Sequence, residues 1–109
     1  MNTTHARRIR SFVRREGRLT SGQQKNLDLL WPRYGLSMPE APIDWAEEFG
    51  REAPRTLEIG FGAGEVLADL ATHRPDEDFI GIEVYLTGVG RLLGAIDAAG
   101  ATNVRVFNL

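Results

Sequence analysis

Three glycines alternate with other residues in segment 58–64 (EIGFGAG), which follows a short apolar run and precedes a helical pattern. Glycine lets the backbone turn tightly and approach a bound molecule that a Cβ atom would exclude. In α/β folds a glycine-rich turn between a strand and a helix is a place where nucleotides bind, although such a turn can also merely connect the two elements. The spacing predicts a ligand-binding loop formed by Gly60, Gly62 and Gly64.

Glu65 stands where a dinucleotide-binding fingerprint would carry its third glycine. A carboxylate at this predicted helix N-terminus would repel a pyrophosphate, which binds there through the positive end of the helix dipole. The alternative is that Glu65 only stabilises that dipole. The first interpretation favours a nucleoside ligand without phosphates over NAD or FAD.

Glu83 closes a second apolar run and follows Gly60 by 23 residues. In this topology an acid about 20 residues beyond the first glycine accepts hydrogen bonds from ribose hydroxyls. A carboxylate suits that role because it offers two acceptor oxygens to two vicinal hydroxyls. Glu83 is therefore predicted to bind a ribose, and the alternative is an exposed acid at a strand end.

Glu58 is an acid within an otherwise apolar strand. A parallel strand is normally covered on both faces, so a buried carboxylate there needs a partner. Either a positively charged part of the ligand or a structural arginine, Arg55 or Arg105, would supply the opposite charge.

The elements that must position these residues alternate between strands and helices. Apolar periodicity defines them, together with Pro75 and Gly100 just beyond the ends of the two helices. The first of these helices carries Val66, Leu67, Leu70 and Ala71 on one face. The predicted strands are 56–60, 78–84 and 103–107, and the predicted helices are 64–73 and 87–99. This β-α-β-α-β order predicts an α/β fold, the first half of a Rossmann-like parallel sheet with strand order 3-2-1.

Short helices are predicted ahead of the sheet. Ser21 and Gln24 resemble a capping box, and Pro32 and Gly35 are expected to end the helix that begins there. A shorter helix is expected to begin after Asp44. The predicted organisation is a basic arm over 1–20, a helical lead-in over 21–54 and a ligand-binding domain over 55–109.

Charge is divided unequally along the 109 residues. Residues 1–25 carry seven bases and one acid, a formal charge of +6, whereas the remainder carries −8 and the chain −2. A basic arm on an acidic body predicts an anionic partner such as nucleic acid; a solvated terminus and a helix lying on anionic lipid are the alternatives. The arginines expected to contact the partner are Arg7, Arg8, Arg10, Arg14, Arg15 and Arg18.

Several function classes are disfavoured by composition. The chain has no cysteine, which excludes disulfides, a thiolate nucleophile and a cysteine-based zinc site, and His5 and His73 stand alone, so no metal site is expected. No apolar run reaches the roughly 18 residues of a membrane span. The arginine-rich start lacks the apolar stretch of a secretory signal. A cytoplasmic protein without a membrane partner is expected.

Further motifs extend through most of the chain. They are 10–15 (RSFVRR), Gly17-Arg18, Gln23-Gln24, 30–36 (LWPRYGL), 57–62 (LEIGFG), 79–84 (FIGIEV), 88–90 (GVG), Leu92-Leu93 and 103–105 (NVR). Together they resemble the bacterial tRNA (guanine-N7)-methyltransferases. The resemblance implies S-adenosylmethionine as cofactor, tRNA as partner and methyl transfer to guanine N7 in the variable loop. It carries the cofactor-binding acids over onto Glu58 and Glu83, although residues 85–87 (YLT) replace the usual His-x-Pro.

The resemblance also implies what lies beyond Leu109. The family continues with an Asp-Ala pair and a Pro-Asp-Pro-Trp segment that carries its substrate acid, so no catalytic residue is expected in this chain. The 109 residues alone are expected to be inactive and to self-associate through their first strand, an unpaired apolar edge. Two alternatives stay open, a methyltransferase for another substrate and an RNA-binding module without activity.

Overall fold

The structure is a computed structural model that describes residues 18–109. Five of the predicted contact arginines, Arg7, Arg8, Arg10, Arg14 and Arg15, lie outside the described residues. The helices of the described part are α1 (Ser21–Tyr34), α2 (Trp45–Phe49), α3 (Glu65–His73) and α4 (Leu86–Ala99). Its strands are β1 (Gly35–Leu36), β2 (Arg55–Ile59), β3 (Asp78–Ile82) and β4 (Val104–Phe107). Among these helices none has the length and apolar character needed to cross a membrane.

The strands form one parallel sheet in the order β1-β4-β3-β2. The three predicted strands therefore lie in the predicted order 3-2-1, and the α/β fold class is confirmed. Their carboxyl ends all point to one end of the sheet, called here the carboxyl end. Strand β3, the second of the three predicted strands, ends at Ile82, two residues before its predicted limit. Glu83 is therefore the first residue of the loop that follows β3.

Strand β1 was not predicted from the sequence. Its two residues pair with Val106 and Phe107 of β4 and extend the sheet on the side away from β2. Gly35 is needed here because an added Cβ would lie 2.1 Å from the ring of Trp31. A two-residue strand shows no alternation of polar and apolar side chains in the sequence, and its pairing with β4 identifies it in the structure.

Helix α1 begins one residue earlier than predicted, and the predicted capping box was wrong in its residues. Thr20 is the N-cap: its hydroxyl accepts from the Gln23 amide at 3.1 Å, and the Gln23 side chain accepts from the Thr20 amide at 3.0 Å. The helix also continues through Pro32 to Tyr34, because Trp31 and Tyr34 are buried in the core. Tertiary packing outweighs the local preference of proline.

The two faces of the sheet have separate cores. Helices α1, α3 and α4 cover one face, where the buried side chains include Leu27, Trp31, Phe79, Val89, Leu92, Leu93, Ile96, Val104 and Val106. Helix α2 covers the other, where Trp45 and Phe49 pack with Leu36, Ile80 and Phe107. Of the four residues predicted to share one face of α3, Leu67 and Ala71 are buried and Leu70 packs against the core, whereas Val66 is 75% exposed. Ala68 is the further buried residue of α3.

Strand β2 is an edge strand within residues 18–109, since only β3 pairs with it there. All five of its residues are exposed, including Leu57 at 56% and Ile59 at 71%. The expectation that this strand is covered on both faces was therefore wrong for the described part of the chain.

Helices α1 and α4 run side by side in the same direction. The Gln23 backbone packs against Gly90, and the Asn26 side chain donates to the Gly90 carbonyl at 2.9 Å. Further along, Arg33 pairs with Asp97 at 3.7 Å. Because α4 begins directly after the carboxyl end of β3, α1 also begins at the carboxyl end of the sheet.

Candidate functional site at the carboxyl end of the sheet

The glycine loop joins β2 to α3 at the carboxyl end. Gly60, Gly62 and Gly64 have φ angles of +73°, +67° and +82°, and an L side chain rarely adopts such values. The Gly60 amide donates to the Ile82 carbonyl at 2.7 Å, which fastens the start of the loop to β3. The predicted loop therefore depends on glycine for its backbone conformation.

The space around the loop is open at Gly60 and Gly62 and closed at Gly64. A Cβ atom added to Gly60 or Gly62 would meet nothing within 4 Å, whereas one added to Gly64 would lie 2.5 Å from Leu92 of α4. Gly64 thus permits close packing on the helix, while Gly60 and Gly62 present bare backbone to open space. This arrangement lets a ligand contact the loop backbone directly.

Glu83 lies directly beneath this loop and is only 5% exposed. Its Oε1 accepts from the Gly62 amide at 2.8 Å, and its Oε2 accepts from the Tyr85 amide at 3.1 Å. The alternative of an exposed strand-end acid does not describe this residue. Since each carboxylate oxygen can accept two hydrogen bonds, both oxygens keep acceptor capacity for a ligand.

The backbone of Glu83 is held from β4. Its amide donates to the Phe107 carbonyl at 3.1 Å, and the Asn108 side chain donates to the carbonyls of Glu83 and Val84, each at 3.0 Å. Asn108 is 6% exposed. Asn108 was not among the predicted site residues, although a carboxamide directly after an apolar strand, at the end of the sheet where ligands bind, was an available signal.

Gly88, in the first turn of α4, touches the glycine loop from below. A Cβ atom there would lie 2.2 Å from the Gly62 carbonyl oxygen and 3.3 Å from Cγ of Glu83. Gly88 was not among the predicted site residues and belongs to the motif 88–90 (GVG). The structure shows that a bare backbone at this position allows the loop to reach the Glu83 carboxylate.

Glu58 is exposed, and its carboxylate has no hydrogen bond or ion pair within residues 18–109. The two structural partners considered for it are engaged elsewhere: Arg55 lies 3.6 Å from Glu52, and Arg105 lies 2.8 Å from Glu48. The interpretation of Glu58 as half of a structural ion pair was wrong because β2 is not enclosed. Its contact with a ligand stays a prediction.

The remaining predicted residues lie around the loop. Glu65 is the exposed first residue of α3, as both interpretations of it require. Arg18 is exposed and precedes Thr20 at the start of α1. No group of three or more acidic or histidine side chains suited to a metal occurs in the described part.

A separate cleft of about 300 Å³ lies at the opposite, amino end of the sheet. Its walls include Asp78, which pairs with Arg51 at 2.7 Å, and Asn103, whose side chain donates to the carbonyls of Ala71, Arg74 and Glu77. These contacts join the carboxyl end of α3 and the amino end of β3 to the residue just before β4. We attribute the cleft to this structural junction, since ligands of parallel sheets bind at the carboxyl end.

Comparison with known proteins assigns the fold to a family. The family model described as "Putative methyltransferase" matches residues 52–109, which contain the glycine loop, Glu83 and Asn108. The match thus covers more than half of the chain and the entire site described above.

Individual relatives extend the match to the lead-in helices. The chain is 56% identical over 102 residues to the tRNA (guanine-N(7)-)-methyltransferase of Pseudomonas savastanoi pv. phaseolicola, covering 94% of this chain and 42% of the relative. Proteins of the same name from Alkalilimnicola ehrlichii (57% identity, 95% and 45% coverage) and Methylococcus capsulatus (56%, 100% and 47%) are equally similar. The chain spans less than half the length of these curated relatives. It belongs to the methyltransferase family whose model matches its glycine loop and the acid beneath it.

Proposed function

We propose that the protein containing this chain transfers a methyl group from S-adenosylmethionine to N7 of a guanine in tRNA, and that this chain supplies the cofactor-binding half. The observation that carries the proposal is the contact between Glu83 and Gly62. It sets a buried carboxylate beside bare loop backbone, in a chain 52–57% identical to relatives named for this reaction.

The residues present fit the nucleoside part of this cofactor. The free lone pairs of Glu83 suit the two ribose hydroxyls, and the open backbone at Gly60 and Gly62 accommodates a ligand that a Cβ would displace. Gly64 holds the loop against α4, and Glu58 supplies a negative charge for the cationic methionine part. When bound, S-adenosylmethionine supplies an electrophilic methyl group on a sulfonium.

Guanine N7 requires little of the protein in chemical terms. It is an in-plane acceptor with a free lone pair, so no general base has to remove a proton before attack. In such a transfer the N7–carbon bond would form as the carbon–sulfur bond breaks, with the electron pair left on sulfur and the positive charge passed to the guanine. The part assigned to this chain is positioning, which can supply several kcal/mol of the barrier reduction.

The start of α1 supports tRNA as the partner. The part of the basic arm before Arg18, residues 1–17, contributes five arginines and joins the fold at Arg18. Arg18 precedes α1, which begins beside the first turns of α4 and thus at the same end of the sheet as the glycine loop. A polyanion bound by the arm would be held next to the cofactor. This location favours tRNA over anionic lipid, because a membrane at the carboxyl end would obstruct the site.

The reaction itself is tested with two transcripts of one tRNA, one containing guanine and one containing 7-deazaguanine, which has carbon in place of N7. The protein in its natural full length is expected to transfer label from S-adenosylmethionine to the first transcript only. Equal labelling of both would indicate a methyltransferase for another position. Tight binding without label would indicate an RNA-binding module.

Removal of residues 1–17 from the same protein is expected to weaken tRNA binding and to reduce its dependence on salt. Each phosphate contact contributes a slope of roughly −0.7 to −0.9 to the log–log plot. Loss of five arginines should therefore reduce the slope by up to about 4. Binding isotherms at four or more salt concentrations provide the measurement.

The truncation point preserves Leu19, which packs against the core, and Thr20, which caps α1. A matched control replaces the five arginines by glutamine and keeps the length of the arm. It should behave like the truncated protein if charge is responsible. Unchanged salt slopes in both variants would show that the arm does not contact tRNA.

A further inference from the structure

Asn108 occupies a position that connects three parts of the site. Asn108 is the first residue after β4. Its buried carboxamide donates to the carbonyls of Glu83 and Val84 in the loop after β3, at 3.0 Å each. The Glu83 amide in turn donates to Phe107. The backbone amide and carbonyl of Glu83 are thus held by two consecutive residues, Phe107 at the end of β4 and Asn108 directly after it.

The side chain of Glu83 depends on that fixed backbone. Its carboxylate must reach the Gly62 amide at 2.8 Å and the Tyr85 amide at 3.1 Å at the same time. Hydrogen bonds weaken steeply when the angle or distance departs from this geometry. A small rotation of the peptide at 83–84 would withdraw the carboxylate from the glycine loop and from any ribose above it.

We propose that Asn108 is a positioning residue for the cofactor site, which aligns the Glu83 carboxylate with the glycine loop. The inference rests on the proposed function for its ligand, but the alignment itself is a property of the free protein. Asn108 acts through Glu83 and needs no contact with the cofactor or the guanine.

A double-mutant cycle distinguishes positioning from general stability. In the full-length protein, Glu83→Ala should weaken binding of S-adenosylhomocysteine about tenfold to hundredfold, the range for hydrogen bonds to a charged group. Asn108→Ala should weaken it roughly threefold to tenfold, the range for neutral hydrogen bonds. When Glu83 is already alanine, Asn108→Ala should have almost no further effect. Equal factors in both backgrounds would overturn the proposal.

Asn103 supplies the matched control. It is also a buried asparagine whose side chain donates to backbone carbonyls, but it lies at the amino end of the sheet. Asn103→Ala should lower thermal stability at least as much as Asn108→Ala and leave the affinity for S-adenosylhomocysteine unchanged. If Asn103→Ala weakens binding as much as Asn108→Ala, the effect is one of stability and the proposal fails.

A second measurement needs no cofactor. Exchange of the Gly62 amide proton in the free protein should accelerate in Glu83→Ala, and roughly threefold to tenfold in Asn108→Ala, whereas Asn103→Ala should leave it unchanged. Asn108→Ser, which leaves less empty space, replaces the alanine variant if that variant does not fold. Unaltered exchange at Gly62 would refute the positioning role. Altered exchange in a protein that binds no S-adenosylhomocysteine would refute only the proposed function.

Discussion

Replacement of Gly88 by alanine is expected to lower cofactor affinity at least about tenfold, a cost within the range for overpacking. The added Cβ would lie 2.2 Å from the Gly62 carbonyl oxygen. That atom belongs to backbone, so the loop must move away from α4 as a unit. The movement would separate the Gly62 amide from the Glu83 carboxylate, and calorimetric titration with S-adenosylhomocysteine would measure the loss.

Gly94→Ala provides the control on the same helix. Alanine is favoured over glycine in a helix by up to about 1 kcal/mol, so both variants share that gain. The new Cβ at position 94 would meet only the end of the Asn26 side chain, at 2.6 Å, and a flexible side chain can move. Affinity should stay near that of the unmodified protein. Equal losses in the two variants would mean that the contact of Gly88 with the loop is unimportant.

The 109-residue chain is expected to self-associate through β2. This strand has five exposed residues and one unpaired side within the described part of the chain, and Leu57 and Ile59 are more than half exposed. Such a strand is a template for pairing with a second copy. Burying two large aliphatic side chains in that contact would add about 1.5–3 kcal/mol for each. Sedimentation velocity at increasing concentration would detect the assembly.

Ile59→Lys should shift the assembly to monomers, because a lysine on an edge strand disfavours pairing with another strand. Leu29→Lys is the matched control: Leu29 is 61% exposed on α1, away from β2. It should leave the association unchanged. Monomers at all concentrations before any substitution would contradict the prediction, and equal effects of the two substitutions would place the contact elsewhere.

Local patterns were sufficient to predict the glycine loop and the strands β2, β3 and β4 of the sheet. Alternating strands and helices, with proline and glycine at their ends, determine the order of elements, and right-handed crossovers then restrict the arrangement of the strands. The spacing between Gly60 and Glu83 likewise predicted that an acid would lie near the loop. These predictions depend only on residues close together in sequence and on a connection rule that permits few arrangements of parallel strands.

Features that depend on distant packing could not be predicted in this way. Whether Glu58 is enclosed depends on what lies beside β2. Val66 is exposed because α3 buries the adjacent stripe formed by Leu67, Ala68 and Ala71. The hydrogen bond from Gly62 to Glu83 requires the loop conformation as well as the spacing. Asn108 was missed since its partners are 24 and 25 positions away in sequence.

The pairing of β1 with β4 also determines the order in which the protein can fold during synthesis. Gly35 lies 71 positions before its partner Val106, and α1 packs on α4, which is translated after it. Residues 18–36 leave the ribosome before the other described strands, yet their buried side chains Leu27, Trp31 and Tyr34 gain their core only after β4 has emerged. Closing such a long loop is a slow step in folding, so α1 reaches its place beside α4 only after β4 has joined the sheet.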